Sequence, residues 1–169
     1  MAQTVNLKGN PVALSGPTLE IGQKAPEVIV VTKDLQEKTV GGAKGVVQVI
    51  VTVPSLDTPV CETETKKFNE LMAGMSGVDV TVISMDLPFA QKRFCESFNI
   101  GNITVASDFR YRDMEKYGVL ISEGVLKGIL ARAVFVVDKE GYIRYIQLVP
   151  EITQEPNYEE VVQKVKELL

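Results

Sequence analysis

Histidine is absent from the 169 residues of this chain. Its absence excludes the catalytic sites that need an imidazole, namely Ser-His-Asp triads, Cys-His dyads and the zinc site of the HExxH motif. Nucleophilic or acid–base chemistry must therefore use cysteine, aspartate, glutamate, lysine, tyrosine or a hydroxyl group that is assisted by arginine.

Cysteine is scarce as well, since the chain contains only Cys61 and Cys95. The two residues are too far apart in sequence for a CxxC motif and too few for a zinc cluster. In a reducing cytosol such cysteines are buried small hydrophobic residues, a pair of catalytic thiols, or both. Composition alone leaves these alternatives open.

Excess charge and long apolar runs are also lacking. The 18 basic and 22 acidic residues leave a net charge of −4, which argues against binding to nucleic acids or anionic membranes. The longest apolar stretch, residues 46–53, is too short to span a bilayer, and no apolar signal segment follows Lys8. We therefore expect a cytoplasmic protein.

The length suits a single domain over residues 1–169, with residues 1–17 as an N-terminal hairpin extension.

The order of the apolar segments predicts a mixed α/β fold. Residues 46–53 are apolar on both faces, as in a central strand that is covered on both sides. The other predicted elements are a hairpin turning at Gly9-Asn10, strands at 28–32, 78–85, 103–106, 132–138 and 142–148, and helices at 60–73, 88–101, 113–117 and 158–169. This order predicts a thioredoxin-like fold with a mixed central sheet and helices on both faces.

Cys61 follows shortly after Pro54, the residue that ends the predicted central strand. Pro59 suits the first position of a helix and Thr58 its N-cap, so Cys61 falls in the first helical turn. The unpaired N–H groups and the helix dipole favour a thiolate over a thiol there. Reactive groups in open α/β sheets gather just past the carboxyl ends of the strands. The position therefore predicts a reactive cysteine that needs no histidine.

The segment that contains Cys61 resembles a known active-site motif. Residues 54–61 read Pro-Ser-Leu-Asp-Thr-Pro-Val-Cys, which matches the PxxxTxxC pattern of the peroxiredoxins and is similar to their thiol peroxidase branch, an atypical 2-Cys group. Residues 107–110, 132–138 and 148–153 extend the resemblance over most of the chain. The resemblance implies a thiol-dependent peroxidase that reduces alkyl and lipid hydroperoxides or hydrogen peroxide and needs no cofactor or metal.

The same resemblance implies a role for each matching residue. Cys61 matches the peroxidatic cysteine, which attacks the O–O bond and becomes a sulfenic acid. Thr58 matches the hydroxyl that holds the peroxide, Pro54 the residue that shields the pocket from water, and Arg132 the guanidinium that stabilises negative charge. Cys95 matches the resolving cysteine, which forms an intramolecular disulfide with Cys61.

The disulfide step requires the two sulfur atoms to meet. Because Cys61 and Cys95 belong to different predicted helices, we expect the helix starts around both residues to unwind locally. The resemblance further implies thioredoxin as the reductant of the disulfide and a homodimer formed through the active-site side of the fold.

These residues also have interpretations without catalysis. Taken alone, Thr58 fits an ordinary helix cap, Arg132 a strand-end arginine paired with a carboxylate, and Cys95 a half-buried small residue. Two competing functions are a thioredoxin-like disulfide reductase, which would need a CxxC pair, and a redox-sensing module without turnover. We expect Glu62 and Glu64 to be solvated charges that the helix dipole favours, rather than general bases.

Overall fold

The computed structural model describes residues 3–169, and in this range it contains a seven-stranded sheet, a three-stranded sheet and three α-helices. The strands are β1 (Thr4–Leu7), β2 (Asn10–Ser15), β3 (Val28–Thr32), β4 (Glu37–Val40), β5 (Val47–Thr52), β6 (Val78–Ser84), β7 (Thr104–Ser107), β8 (Leu120–Ile121), β9 (Ala133–Val137) and β10 (Ile143–Leu148). The helices are α1 (Pro59–Leu71), α2 (Pro88–Phe98) and α3 (Tyr158–Leu168), with a 3-10 helix at Asp113–Tyr117.

The large sheet has the strand order β10-β9-β5-β6-β7-β3-β4. Every residue of β5 is buried, which confirms the predicted central strand. β5, β6 and β7 run parallel, so the loops that follow them leave the sheet at one edge. β9 is antiparallel to β5 and pairs Ala133 with Thr52, which brings the start of β9 to that same edge.

The two faces of this sheet bury separate apolar clusters. Val49 and other alternate residues of β5 belong to the cluster that contains side chains of α1, α2 and α3. Ile50 belongs to the opposite cluster, together with residues of the β1–β2 hairpin and of the 3-10 helix. The prediction of a mixed sheet with helices on both faces is therefore confirmed, although the second face carries only the short helix.

Prolines and asparagines mark the ends of the helices. Pro59 and Pro88 occupy first positions, where a missing N–H costs nothing. Asn99 ends α2 in the left-handed region at φ 54°, and the Asn157 side chain accepts a hydrogen bond from Glu160 N at the start of α3. Within residues 3–169, no helix has the length and apolar character needed to cross a membrane.

The N-terminal hairpin forms as predicted, but its turn lies one residue earlier. Lys8 and Gly9 form the turn, at φ 50° and 84°, and Leu7 pairs with Asn10. A two-residue turn of this kind needs positive φ at both positions, so Asn10 becomes the first residue of β2. The structure also adds β8, which pairs with β2 and is too short to show any alternation in the sequence.

Candidate active site

The loop between β5 and α1 is held by a residue that follows β6. Ser55 Oγ donates to Asp86 Oδ1 at 2.7 Å, and the Leu56 backbone N–H donates to Asp86 Oδ2 at 2.8 Å. Pro54, the first residue of this loop, is buried. Asp86 cannot be predicted from local sequence, because Ser55 lies 31 positions away and only the parallel pairing of β5 and β6 brings the two loops together.

Cys61 lies in the first turn of α1, as predicted, and its side chain is fully buried. Its sulfur belongs to the apolar cluster that includes Leu56 and Phe68. Thr65 Oγ1 donates to the Cys61 carbonyl at 2.8 Å, a bond between successive turns of the helix. The thiol therefore lies in a buried apolar cluster at a helix start, where backbone N–H groups are unpaired.

Thr58 is the N-cap residue of α1, with an extended backbone at φ −103° and ψ 146°. Its hydroxyl donates to the Ser55 carbonyl at 2.9 Å instead of accepting from the helix, and its backbone N–H donates to the same carbonyl at 3.2 Å. A hydroxyl that donates in this way retains lone pairs that accept further hydrogen bonds. Thr58 is half-buried.

Arg132 is almost fully buried and lies directly before β9, at the sheet edge where β5 ends. Its Nη1 atom donates to Cys61 Sγ at 3.2 Å and to Glu64 Oε1 at 2.6 Å. Its Nε and Nη2 atoms donate to the Ile152 carbonyl at 3.0 and 2.8 Å. The guanidinium is thus anchored on one side by a backbone oxygen and faces the cysteine sulfur on the other.

Glu64 corrects one expectation, because it is fully buried and not a solvated charge. It lies on the same face of α1 as Cys61, three residues later, and forms an ion pair with Arg132. Among residues 3–169, its Oε2 atom has no hydrogen-bond partner. Burial raises the pKa of Glu64 to about 7, although the neighbouring Arg132 charge lowers it. The three-residue spacing indicates that Glu64 shares a helix face with Cys61, but it does not indicate that this face is buried.

This buried carboxyl predicts how stability depends on pH. The pKa of Glu64 is above its ordinary value in the folded protein, so folding favours the protonated form. The contribution is largest below about pH 4.5 and is lost as pH rises through about 7, on the order of 3 kcal/mol in total. The native protein should therefore lose this contribution between about pH 5 and 8, whereas Glu64→Gln has no carboxyl to titrate. The free energy of unfolding of Glu64→Gln minus that of the native protein should rise over this range, measured by denaturant titration.

Glu62→Gln is the matched control for this titration, because Glu62 is on the same helix and partly exposed. Asp108, whose pKa burial raises to about 6, is present in all three proteins and cancels in the comparison. The raised pKa of Glu64 would be contradicted if the difference in free energy of unfolding between Glu64→Gln and the native protein were the same at about pH 5 and pH 8.

Cys95 lies near the end of α2, on an element separate from Cys61, Thr58 and Arg132. It is buried in the same apolar cluster as Cys61, and both residues are free thiols. Burial raises the pKa of the Cys95 thiol. Its carbonyl accepts hydrogen bonds from the N–H groups of Asn99 and Ile100, which close the helix. The expected position of Cys95 at a helix start is therefore wrong, since it lies in the last turns of α2.

This chain is similar to known proteins along its full length. The redoxin family model matches residues 20–162. A thiol peroxidase of Aquifex aeolicus (strain VF5) is 82% identical over 169 residues, which cover 100% of both chains. A thiol peroxidase of Campylobacter jejuni is 54% identical over 154 residues, covering 90% of this chain and 87% of the relative.

A solved structure gives the same result for the fold. The crystal structure of a peroxiredoxin-like protein from Aquifex aeolicus is 82% identical in sequence and superposes with a TM-score of 0.98, over 100% of this chain and 99% of that chain. This match confirms the thioredoxin-like α/β fold that the sequence predicts. Taken with the full-length similarity to curated relatives, it shows that this chain belongs to the thiol peroxidases of the redoxin family.

Proposed function

We propose that this chain reduces hydroperoxides, with Cys61 as the residue that attacks the peroxide. The observation that carries the proposal is the hydrogen bond from Arg132 Nη1 to Cys61 Sγ at 3.2 Å, beside a buried apolar cluster at the start of α1. A guanidinium is a permanent charge, so it interacts favourably with a thiolate and with the negative charge that develops on a peroxide oxygen.

The first step transfers one oxygen atom to sulfur. The Cys61 thiolate attacks the terminal oxygen of R–O–O–H, the S–O bond forms and the O–O bond breaks. Sulfur is oxidised by two electrons to the sulfenic acid, and the leaving alkoxide takes up a proton to become the alcohol. We assign to Thr58 the acceptor that orients the peroxide O–H, and to buried Pro54 the exclusion of water from the pocket.

Cys95 is proposed to resolve the sulfenic acid. Its thiolate attacks Cys61 sulfur, the S–S bond forms, and the sulfenic oxygen leaves as water after protonation. A disulfide needs Cα atoms within about 7 Å and specific Cβ directions. The first turn of α1 and the last turns of α2 hold the two cysteines, so we propose that these turns open for the step.

The last step of the proposed cycle, reduction of the disulfide, needs a second protein. A dithiol protein of the thioredoxin type donates two electrons to the Cys61–Cys95 disulfide and returns both thiols. We propose one catalytic domain over residues 1–169 that works in the cytoplasm as a homodimer. Alkyl and lipid hydroperoxides and hydrogen peroxide are the proposed substrates.

The test oxidises the reduced protein with one equivalent of tert-butyl hydroperoxide and maps the product by peptide mass spectrometry without reduction. We expect a Cys61–Cys95 disulfide within one chain in the native protein, and a sulfenic acid at Cys61 in Cys95→Ser. Steady-state turnover of Cys95→Ser with thioredoxin should fall about 10-fold or more, because the resolving thiol is missing. Undiminished turnover of that variant would refute the resolving role.

A further inference from the structure

The N-terminal hairpin contacts the segment that anchors Arg132. Asn6 N donates to the Pro150 carbonyl at 2.7 Å, and Ile152 N donates to the Asn6 carbonyl at 2.9 Å. These two bonds flank Glu151 and form a short parallel bridge between Asn6 and Glu151. The hairpin therefore holds the backbone immediately next to the Ile152 carbonyl.

The Glu151 side chain adds a second connection, to the turn of the hairpin. Its carboxylate accepts from Gly9 N at 2.9 Å and from Lys8 N at 3.1 Å, and also from Thr153 N and Oγ1 at 3.2 and 2.9 Å. Hydrogen bonds from Gly9, Thr153 and Lys8 lower the pKa of Glu151 to about 2. The carboxylate is thus ionised at any physiological pH and clamps the turn to the segment at residues 150–153.

The Ile152 carbonyl is where this segment meets the active site. It accepts from both Arg132 Nε and Arg132 Nη2, so it fixes the plane of the guanidinium. The remaining nitrogen, Nη1, then faces Cys61 Sγ. A displacement of the Ile152 carbonyl would rotate the guanidinium of Arg132 and move Nη1 away from the Cys61 sulfur.

We propose that the β1–β2 hairpin is a positioning element for Arg132, acting through Glu151 and the Ile152 carbonyl. The inference rests on the proposed function, in which Arg132 stabilises charge at Cys61. Glu151 is a positioning residue and touches neither sulfur nor peroxide. Its effect is to keep the guanidinium in the orientation that meets the developing negative charge.

The hairpin has a separate anchor that provides a matched control. Ala13 N donates to Glu123 Oε1 at 2.9 Å, which ties β2 to the loop after β8. This carboxylate resembles Glu151 in kind, since both are surface acceptors for hairpin N–H groups, but it is not bonded to the segment at residues 150–153. Val5, Val12 and Leu14 are buried in the core, so we expect the hairpin to stay attached in either variant.

The test measures the second-order rate constant for oxidation of Cys61 by hydroperoxide in a single turnover. Glu151→Ala should lower it roughly 10-fold, because small misplacements of a catalytic group cost rates of that size. Glu151→Gln keeps one acceptor and should give a smaller loss in the same direction, which preserves the test if the alanine variant folds poorly. Glu123→Ala should stay within about 2-fold of the native rate.

A double-mutant cycle separates positioning from general destabilisation. Arg132→Lys keeps the positive charge but has one nitrogen, which cannot bind Ile152 through two donors and also reach Cys61. In that background Glu151→Ala should change the rate less than about 2-fold. An equal loss in both backgrounds, or equal rates for Glu151→Ala and Glu123→Ala, would overturn the inference. Failure of the proposed function is a different result, namely no peroxide oxidation at Cys61 in the native protein.

Discussion

Cys61→Ser should lose at least about 10⁴-fold of the peroxidase activity, the largest effect expected from any single substitution here. Serine has nearly the same shape, but its hydroxyl stays protonated at neutral pH and is a poor nucleophile. The chemistry also differs, because sulfur accepts an oxygen atom by rising in oxidation state. A serine oxygen that attacked a peroxide would only form another O–O bond. Consumption of hydroperoxide with thioredoxin as reductant is the measurement.

Cys95→Ser is the matched control for this variant, since it removes the other buried thiol of the same cluster. It should retain the first turnover, measured as one alcohol released per chain, whereas Cys61→Ser should release none. Circular dichroism and thermal melting of the two variants check that both are folded. Activity that survives in Cys61→Ser and disappears in Cys95→Ser would reverse the assigned roles.

Arg132→Met should reduce both activity and stability, for separate reasons. Removing the Nη1 donor at 3.2 Å from Cys61 Sγ takes away charge stabilisation, which is typically worth about 10²–10³-fold in rate. Removal also leaves the buried Glu64 carboxyl without its cation, which lowers stability, and the loss reaches about 3–5 kcal/mol where that carboxyl stays ionised. Single-turnover oxidation of Cys61 measures the first effect, and denaturant unfolding at neutral pH measures the second.

The double variant Arg132→Met with Glu64→Leu separates the two effects. Replacing both partners of a buried ion pair by apolar residues restores stability in many proteins, so most of the lost free energy of unfolding should return. The rate should not return, because the donor to Cys61 is still missing. A double variant that regains activity together with stability would show that Arg132 acts only as a structural partner of Glu64.

Local pattern was sufficient for much of the fold and for the core of the site. The buried strand β5, the proline starts of α1 and α2, and the position of Cys61 in the first turn of α1 follow from short stretches of sequence. Such features depend on side-chain periodicity and on missing backbone donors, which are properties of neighbouring residues. The predicted hairpin turn is one residue too late, because the turn needs positive φ at Lys8 and lysine is not a sequence signal for that conformation.

The residues that hold Arg132 and the loop before α1 in place could not be predicted from local pattern. Glu64 looks like any acidic residue near a helix start, and only the approach of Arg132 from β9 makes it a buried ion-pair partner. Asp86 and Glu151 act on residues that are distant in sequence, through Ser55 and the turn at Gly9 respectively. The sequence places Cys95 around a helix start, whereas the structure places it near a helix end.

The sequence by itself determined that no imidazole takes part and predicted one thiol at a helix start past a central strand, and its resemblance to the thiol peroxidases implied an arginine beside that thiol. The tertiary structure alone decided how that arginine is held. Antiparallel pairing of β5 with β9 carries Arg132 to Cys61, and the Ile152 carbonyl and Glu64 then orient its nitrogens. The reason is physical: nucleophile and helix start are local in the chain, whereas the charge around them comes from strands that meet only when the sheet forms.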